Sequence, residues 1–143
     1  MMLLDTNVVS EIWRDSPTRS VMAWLDSQPE QHLFICTPVI AELRYGVERL
    51  HDGRRKDRLR SAFETLFTEG YRGRILSFDV ESAICFGRLR ADRDRIGHPI
   101  EPIDAMIAAI ALANRMVLVT RNIPDFSDIG LDLIDPFSAD IRQ

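Results

Sequence analysis

The chain opens on MMLLDTNVVSE, in which apolar residues run from Met1 to Leu4 and stop at a carboxylate, Asp5, followed by Thr6 and Asn7. Two more carboxylates stand in apolar company: Glu42 in TPVIAELRYG and Asp104 in PIDAMIAAIALAN. Each alone has a modest explanation. Asp5 can cap the helix that follows it, and an acid in the first turns of a helix gains about 0.3–1 kcal/mol from the helix dipole. A second explanation covers all of them at once. A carboxylate near a packed face must be paired or bound to a cation, because an isolated buried charge is very costly. No Lys or Arg lies at a helical spacing that would serve Asp104, and Arg44 and Arg49 are near Glu42 but not four residues beyond it. Oxygen ligands converging from separate elements suit a hard divalent cation, Mg2+ or Mn2+. The chemistry natural to such a centre is phosphodiester hydrolysis, in which the cation activates water and neutralises charge on the phosphoryl oxygens.

Other chemistries lack their residues. His32, His51 and His98 show no HxxxH or HxH spacing, and Cys36 and Cys85 form no CxxC pair, so a structural zinc site is not expected. Both cysteines lie in apolar surroundings and read as buried, reduced thiols. There is no GxSxG elbow, no GxGxxG and no GxxxxGK[ST], which removes the usual serine-hydrolase, dinucleotide and P-loop readings. No run approaches the roughly 18 apolar residues of a membrane span. The apolar start ends in an acid too soon for a signal peptide. A cytoplasmic protein without membrane attachment is expected.

The elements that must position the acids follow from hydrophobic period and end signals. Leu3–Leu4 reads as a short strand and Asn7–Trp13 as helical. SPTRSVMAWLDS is a helix with Val21, Trp24 and Leu25 on one face, ended by Pro29. HLFIC is a buried strand. TPVIAELRYGVERL begins a helix, with Thr37 as cap, Pro38 at the first helical position and Val39, Leu43, Val47 and Leu50 keeping the period. RRKDRLRSAFETLFTEG is a further helix and RILSF a strand. Asp79 caps the next helix, whose inward set is Ala83, Phe86 and Leu89, and Gly97-His98-Pro99 breaks it. EPIDAMIAAIALANR is a helix with Ile103, Ile107 and Ile110 on one face. MVLVT and LDLIDP are strands, and Asn122 to Gly130 reads as a polar loop.

Strands alternating with helices predict a three-layer α/β/α fold with a mostly parallel central sheet. The length, 143 residues, is that of one domain, taken as 1–143. Ligands of such sheets gather outside the carboxyl ends of the strands. Asp5 falls there, and so do Thr120, Arg121, Asn122 and Asp125 after MVLV.

A net charge of −4 argues against sequence-blind binding to a phosphate backbone. The cations are clustered, however, in GRRKDRLR (Arg54 to Arg60) and GRLRADRDR (Arg88 to Arg95). They form either solvated helix faces or a positive surface that guides RNA or receives acidic residues of a partner.

LLDTNVVSE, TPVIAELRYGV, PIDAMIAA and VLVTRNIPDF resemble, in order and spacing, the signature segments of PIN-domain ribonucleases. They are most similar to the VapC/FitB-like toxins of bacterial type II toxin–antitoxin modules. The resemblance implies a PIN-like fold and a Mg2+- or Mn2+-dependent endoribonuclease. It puts the family's acidic positions, catalytic and metal-binding, on Asp5, Glu42 and Asp104. A fourth position, often Asp, falls on Asn122, while Asn7 and Thr120 shape the site. Asn122 lowers the negative charge of the ligand set, which Asp125 can partly offset through water. The implied partners are an RNA substrate and a small antitoxin that blocks the site. Dimers or larger assemblies with the antitoxin are usual, and DNA is contacted only through the antitoxin. The alternative is a PIN module with lost catalysis that mainly binds an antitoxin.

Overall fold

A computed structural model describes residues 1–138. Residues 139–143, the end of the single domain expected from the sequence, lie outside the described residues. The strands are β1 (Met2–Leu4), β2 (Leu33–Cys36), β3 (Ile75–Leu76), β4 (Val117–Val119) and β5 (Leu133–Ile134). The helices are α1 (Thr6–Val9), α2 (Arg19–Ser27), α3 (Thr37–Glu48), α4 (Arg54–Thr65), α5 (Val80–Arg95), α6 (Pro102–Ala113) and α7 (Ile123–Phe126). A 3-10 turn over Ser10–Trp13 extends α1, so the first helical segment tightens halfway.

The five strands form one sheet in the order β3-β2-β1-β4-β5, with every pairing parallel. Parallel strands need crossovers, and crossovers of this kind are right-handed as a rule. The chain first moves from β1 outward through β2 to β3, then returns to β4 on the other side of β1. The helices of the two directions therefore lie on opposite faces. Burial agrees. Adjacent residues on a strand face opposite sides, and both members of Leu3–Leu4, Ile35–Cys36 and Leu118–Val119 have no exposed surface. The expected three-layer α/β/α fold is thus present, and the sheet is wholly parallel.

The returning connection creates a switch point between β1 and β4. Their registers end level, with Leu4 beside Val119 and Met2 beside Val117. Asp5 N–H donates to the carbonyl of Val119 at 2.9 Å, carrying the pairing one residue past β1. α6 is the most buried helix, with Ala105 and Ile107 through Ala111 inside. Its alanines let it approach its neighbours closely while leaving no polar side chain to satisfy.

Several local expectations change in three dimensions. Asp79 does cap α5, accepting from Ser82 N–H at 2.9 Å. On the inward face of α5, Leu89 is buried and Phe86 packs against the core as expected, but Ala83 is exposed, and Ser82 and Arg93 are buried as well. Thr37 does not cap α3. Cys36 precedes the helix without a side-chain cap, Pro38 is the second helical residue, and Thr37 Oγ1 accepts instead from Phe78 N–H at 3.2 Å. Ile103 stands 39% exposed on α6, so the buried stripe begins a turn later. Cys36 is buried, and burial pushes its thiol up to about 12, but Cys85 is only half-buried; both are free. The stretch expected as a loop contains α7, pinned by Phe126, which is fully buried. Pro124 in the first turn favours that helix.

Truncating Phe126→Ala is expected to cost about 3–5 kcal/mol by opening a cavity under α7. A urea titration checks this as a lower midpoint at unchanged slope.

Candidate active site

Asp5 follows β1 and serves as the N-cap of α1. Its Oδ1 accepts from Thr6 N–H at 2.7 Å. Its Oδ2 accepts from Thr120 Oγ1 at 2.7 Å and from Asn7 Nδ2 at 3.1 Å. Asp5 is only 3% exposed. Burial pushes its carboxyl up, the bonds from Thr120, Thr6 and Asn7 pull it down, and the charge of Glu42 pushes it up again; burial prevails. These donors hold the carboxylate in one orientation and leave lone pairs on Oδ1 unused.

The polar residues around Asp5 tie the ends of β1 and β4 together. Asn7 Oδ1 accepts from Arg121 N–H at 3.2 Å, and Thr120 Oγ1 accepts from Asn122 N–H at 3.0 Å. Thr120 is fully buried. Asn122 precedes α7 and makes no side-chain cap bond, so its amide is not spent on the helix end. Asp125 lies within α7, where its N–H donates to the Asn122 carbonyl at 3.1 Å.

Glu42 comes from α3 and Asp104 from the first turn of α6. Glu42 Oε1 accepts from Thr6 Oγ1 at 2.5 Å. Sequence reasoning did not single out Thr6 as a site residue. Its only signal was its place beside Asp5, and its partner lies 36 positions along the chain. Asp104 is half-buried and its carboxyl is pushed up to about 6, first by burial and then by the charges of Asp5, Glu42, Asp125 and Glu101.

Asp5, Thr6, Asn7, Glu42, Asp104 and Asn122 line one cavity of about 260 Å³. Asp125 lines an adjoining cavity of about 200 Å³ with Asp104, Glu101 and Arg93. Thr120 sits behind the first cavity, under Asp5. Among the described residues, no ion pair reaches Asp5, Glu42, Asp104 or Asp125. Glu11 shows the contrast. It is as buried as Asp5, but it accepts from Thr18 N–H at 2.6 Å and pairs with Arg14 at 3.5 Å.

An all-oxygen donor set from several elements, strongly acidic and without a basic side chain, fits a hard divalent cation. Among the described residues, no three acidic, histidine or cysteine side chains already converge at ligating distance. Glu42 rests on the Thr6 hydroxyl, and like charges keep the acids apart. A cation would reverse that repulsion and draw them inward.

Residues 2–130 match the PIN domain family, and the chain belongs to it. A plasmid stability protein of Pseudomonas syringae pv. tomato, StbB, is 40% identical over 97% of this chain and 100% of its own length. The VapC ribonuclease Y4jK of Sinorhizobium fredii is 35% identical over 96% of this chain and 98% of its own. The toxin FitB of Neisseria gonorrhoeae is 34% identical over 96% and 99%. The solved structure of FitAB bound to the IR36 DNA fragment matches the whole of both chains with a TM-score of 0.92 at 33% identity.

The raised carboxyl of Asp104 has a consequence for stability. Its folded value, about 6, exceeds the ordinary 3.8. Its contribution therefore favours the fold below 3.8 and is lost as the pH rises through about 6. In metal-free protein at pH 7.5, Asp104→Asn is expected to raise Tm by about 2–4 °C, roughly 1 kcal/mol after solvent screening. The gain shrinks as the pH falls from 6 toward 4, which thermal melts across that range measure directly.

Proposed function

We propose that this chain is a divalent-cation-dependent endoribonuclease, the toxin of a toxin–antitoxin pair. In this reading Asp5, Glu42 and Asp104 hold Mg2+ or Mn2+, and Asn122 adds a neutral fourth oxygen. One observation carries it: acids from three separate elements border a single cavity at the strand ends, with no basic side chain paired to them among the described residues. Full-length similarity to a VapC ribonuclease and to the toxin FitB supports the activity and the biological role.

When bound, the cation supplies an activated water and neutralises charge on the attacked phosphate. The chain's own residues orient the reaction. Asp5, fixed by Thr6, Asn7 and Thr120, presents one carboxylate edge to the cavity. Thr6 braces Glu42, so one hydroxyl ties α1 to α3 beside the cavity. Asp104 enters from the start of α6, whose free N–H groups add positive potential beside a phosphate. Asn122 contributes an amide without charge, and Asp125 acts at one remove.

The partners in this proposal are RNA as substrate and a small antitoxin that covers the cavity. DNA would be met only through that antitoxin, as part of an assembly that contains a dimer of this chain, in the cytoplasm. Among the described residues, no helix is long and apolar enough to cross a membrane. Tyr45 on α3, 67% exposed, is an aromatic contact available to a partner helix.

Cleavage of single-stranded RNA in Mg2+ or Mn2+, stopped by EDTA and absent on DNA of the same sequence, is the test of the activity. Asp5→Asn and Asp104→Asn are each expected to lower cleavage at least about a hundredfold and to relieve growth arrest when the chain is expressed alone. Full cleavage by the Asp104 variant would overturn the assignment. Asn122 favours a second reading, a PIN module that binds an antitoxin without cutting RNA. That reading predicts tight antitoxin binding with no metal-dependent cleavage by any preparation. The neutral Asn122 also implies one tightly bound cation in the free protein and a second only with substrate. Calorimetric titration with Mn2+ is expected to show one site; two equally tight sites would exclude this role for Asn122.

A further inference from the structure

We propose that Arg93 is a positioning residue for the cation site, tying the segment that delivers Asp104 to the segment that delivers Asn122 and Asp125. The inference rests on the carboxylate cavity being the metal-dependent site proposed above.

Arg93 lies on the inward face of α5 and is only 7% exposed. Among the described residues, no carboxylate lies within ion-pair distance of its guanidinium. A buried cation without a paired acid is costly and must make good hydrogen bonds. Arg93 Nε donates to the carbonyl of His98 at 2.6 Å, and Nη1 donates to the carbonyl of Ser127 at 2.9 Å. His98 belongs to the turn that leads into α6. Ser127 is the first residue past α7. One side chain therefore joins the approach to Asp104 with the exit from the helix that follows Asn122 and contains Asp125.

The His98 end of this tie is held twice. His98 N–H donates back to the Arg93 carbonyl at 3.0 Å, and Gly97 takes φ +74°, a conformation that L side chains rarely adopt. The turn is thus locked to the end of α5, and α5 packs along α6. At the other end, the guanidinium is the direct polar link, among the described residues, between Ser127 and the turn before α6.

Placement of the charge points the same way. Arg93 forms part of the wall of the cavity shared with Glu101, Asp104 and Asp125. Asp104 borders this cavity and also the one lined by Asp5, Glu42 and Asn122. Arg93 thus lines the cavity beside Asp104 and Asp125 and not the one bordered by Asp5 and Glu42. It is too buried to meet RNA directly. A planar fork can serve two carbonyls in different directions at fixed geometry, and an ammonium cannot reproduce that.

Arg93→Lys keeps the charge and removes the fork, and Arg93→Met removes both. In metal-free protein, amide hydrogen exchange in residues 98–105 and 122–128 is expected to rise together in both variants, with α2 and α3 unchanged. Mn2+ affinity by calorimetry should fall about 10–100-fold. For RNA cleavage, kcat should fall while KM stays within about twofold. If Arg93→Met does not fold, Arg93→Lys decides, and millimolar methylguanidinium added to Arg93→Gly should recover Mn2+ affinity. An Arg93→Lys protein with native Mn2+ affinity, or with faster exchange in only one of the two segments, would overturn the role of Arg93. That outcome leaves the proposed function standing. If the unaltered chain binds no Mn2+, the proposed function fails and this role fails with it.

Discussion

Negative charge held together without a positive partner is the constraint around which this structure is built. Asp5, Glu42 and Asp104 border one small cavity, with Asp125 close by, and the proton affinities of Asp5 and Asp104 are raised. Burial is the larger cause and like charge the smaller, since the charged form loses solvent as well as gaining like neighbours. A stable domain can carry such a cluster only if its remaining contacts outweigh the repulsion. The fully buried residues of β1, β2, β4 and α6 provide that reserve.

The sheet topology decides where the strain falls. Outward growth on one side of β1 and return on the other leave the ends of β1 and β4 adjacent, with helices departing to opposite faces. Asp5 and Asn122 sit at those ends. The acids border a cavity there, and the protein fixes two of them from its own side. Thr120 does that fixing from beneath Asp5, and Thr6 does it for Glu42.

Elsewhere, charged groups serve as clamps. Glu11 closes the turn before α2 through Thr18. Arg74 donates to the carbonyls of Glu30, Leu33 and Gly70, tying the entry of β2 to the approach of the edge strand β3. Arg93 does the same for the two segments beside the acidic cavity. In each case a side chain that composition would place on the surface bonds backbone groups at a turn or at the end of an element. The basic runs behave similarly in part. Lys56 is buried and donates to the Glu48 carbonyl and Asp52, and Arg60 meets Glu48, so the Arg54 to Arg60 run is not a uniformly free positive face.

Much of the architecture was readable in the chain, because period and end signals act locally. Alternating strands and helices predicted the parallel sheet, and Asp79 announced its helix. Asp5, Glu42 and Asp104 stood out because each breaks a local rule: an acid among apolar neighbours has no inexpensive place to go. Where reading failed, the deciding partner was remote in sequence. Thr37 turned to Phe78 and gave up its cap. The face of α5 followed its packing on α6, burying Arg93 in place of Ala83. Phe126 found the core and made α7 from an expected loop. By itself, then, the sequence determined the elements, their alternation and the identity of the misplaced acids, all consequences of local propensity and solvation. Only the tertiary structure decided that those acids share one cavity, that Thr6 and Thr120 orient them, and that Arg93 joins the segments beside them. Those are contacts between residues tens of positions apart, and no local preference encodes a distance across a fold.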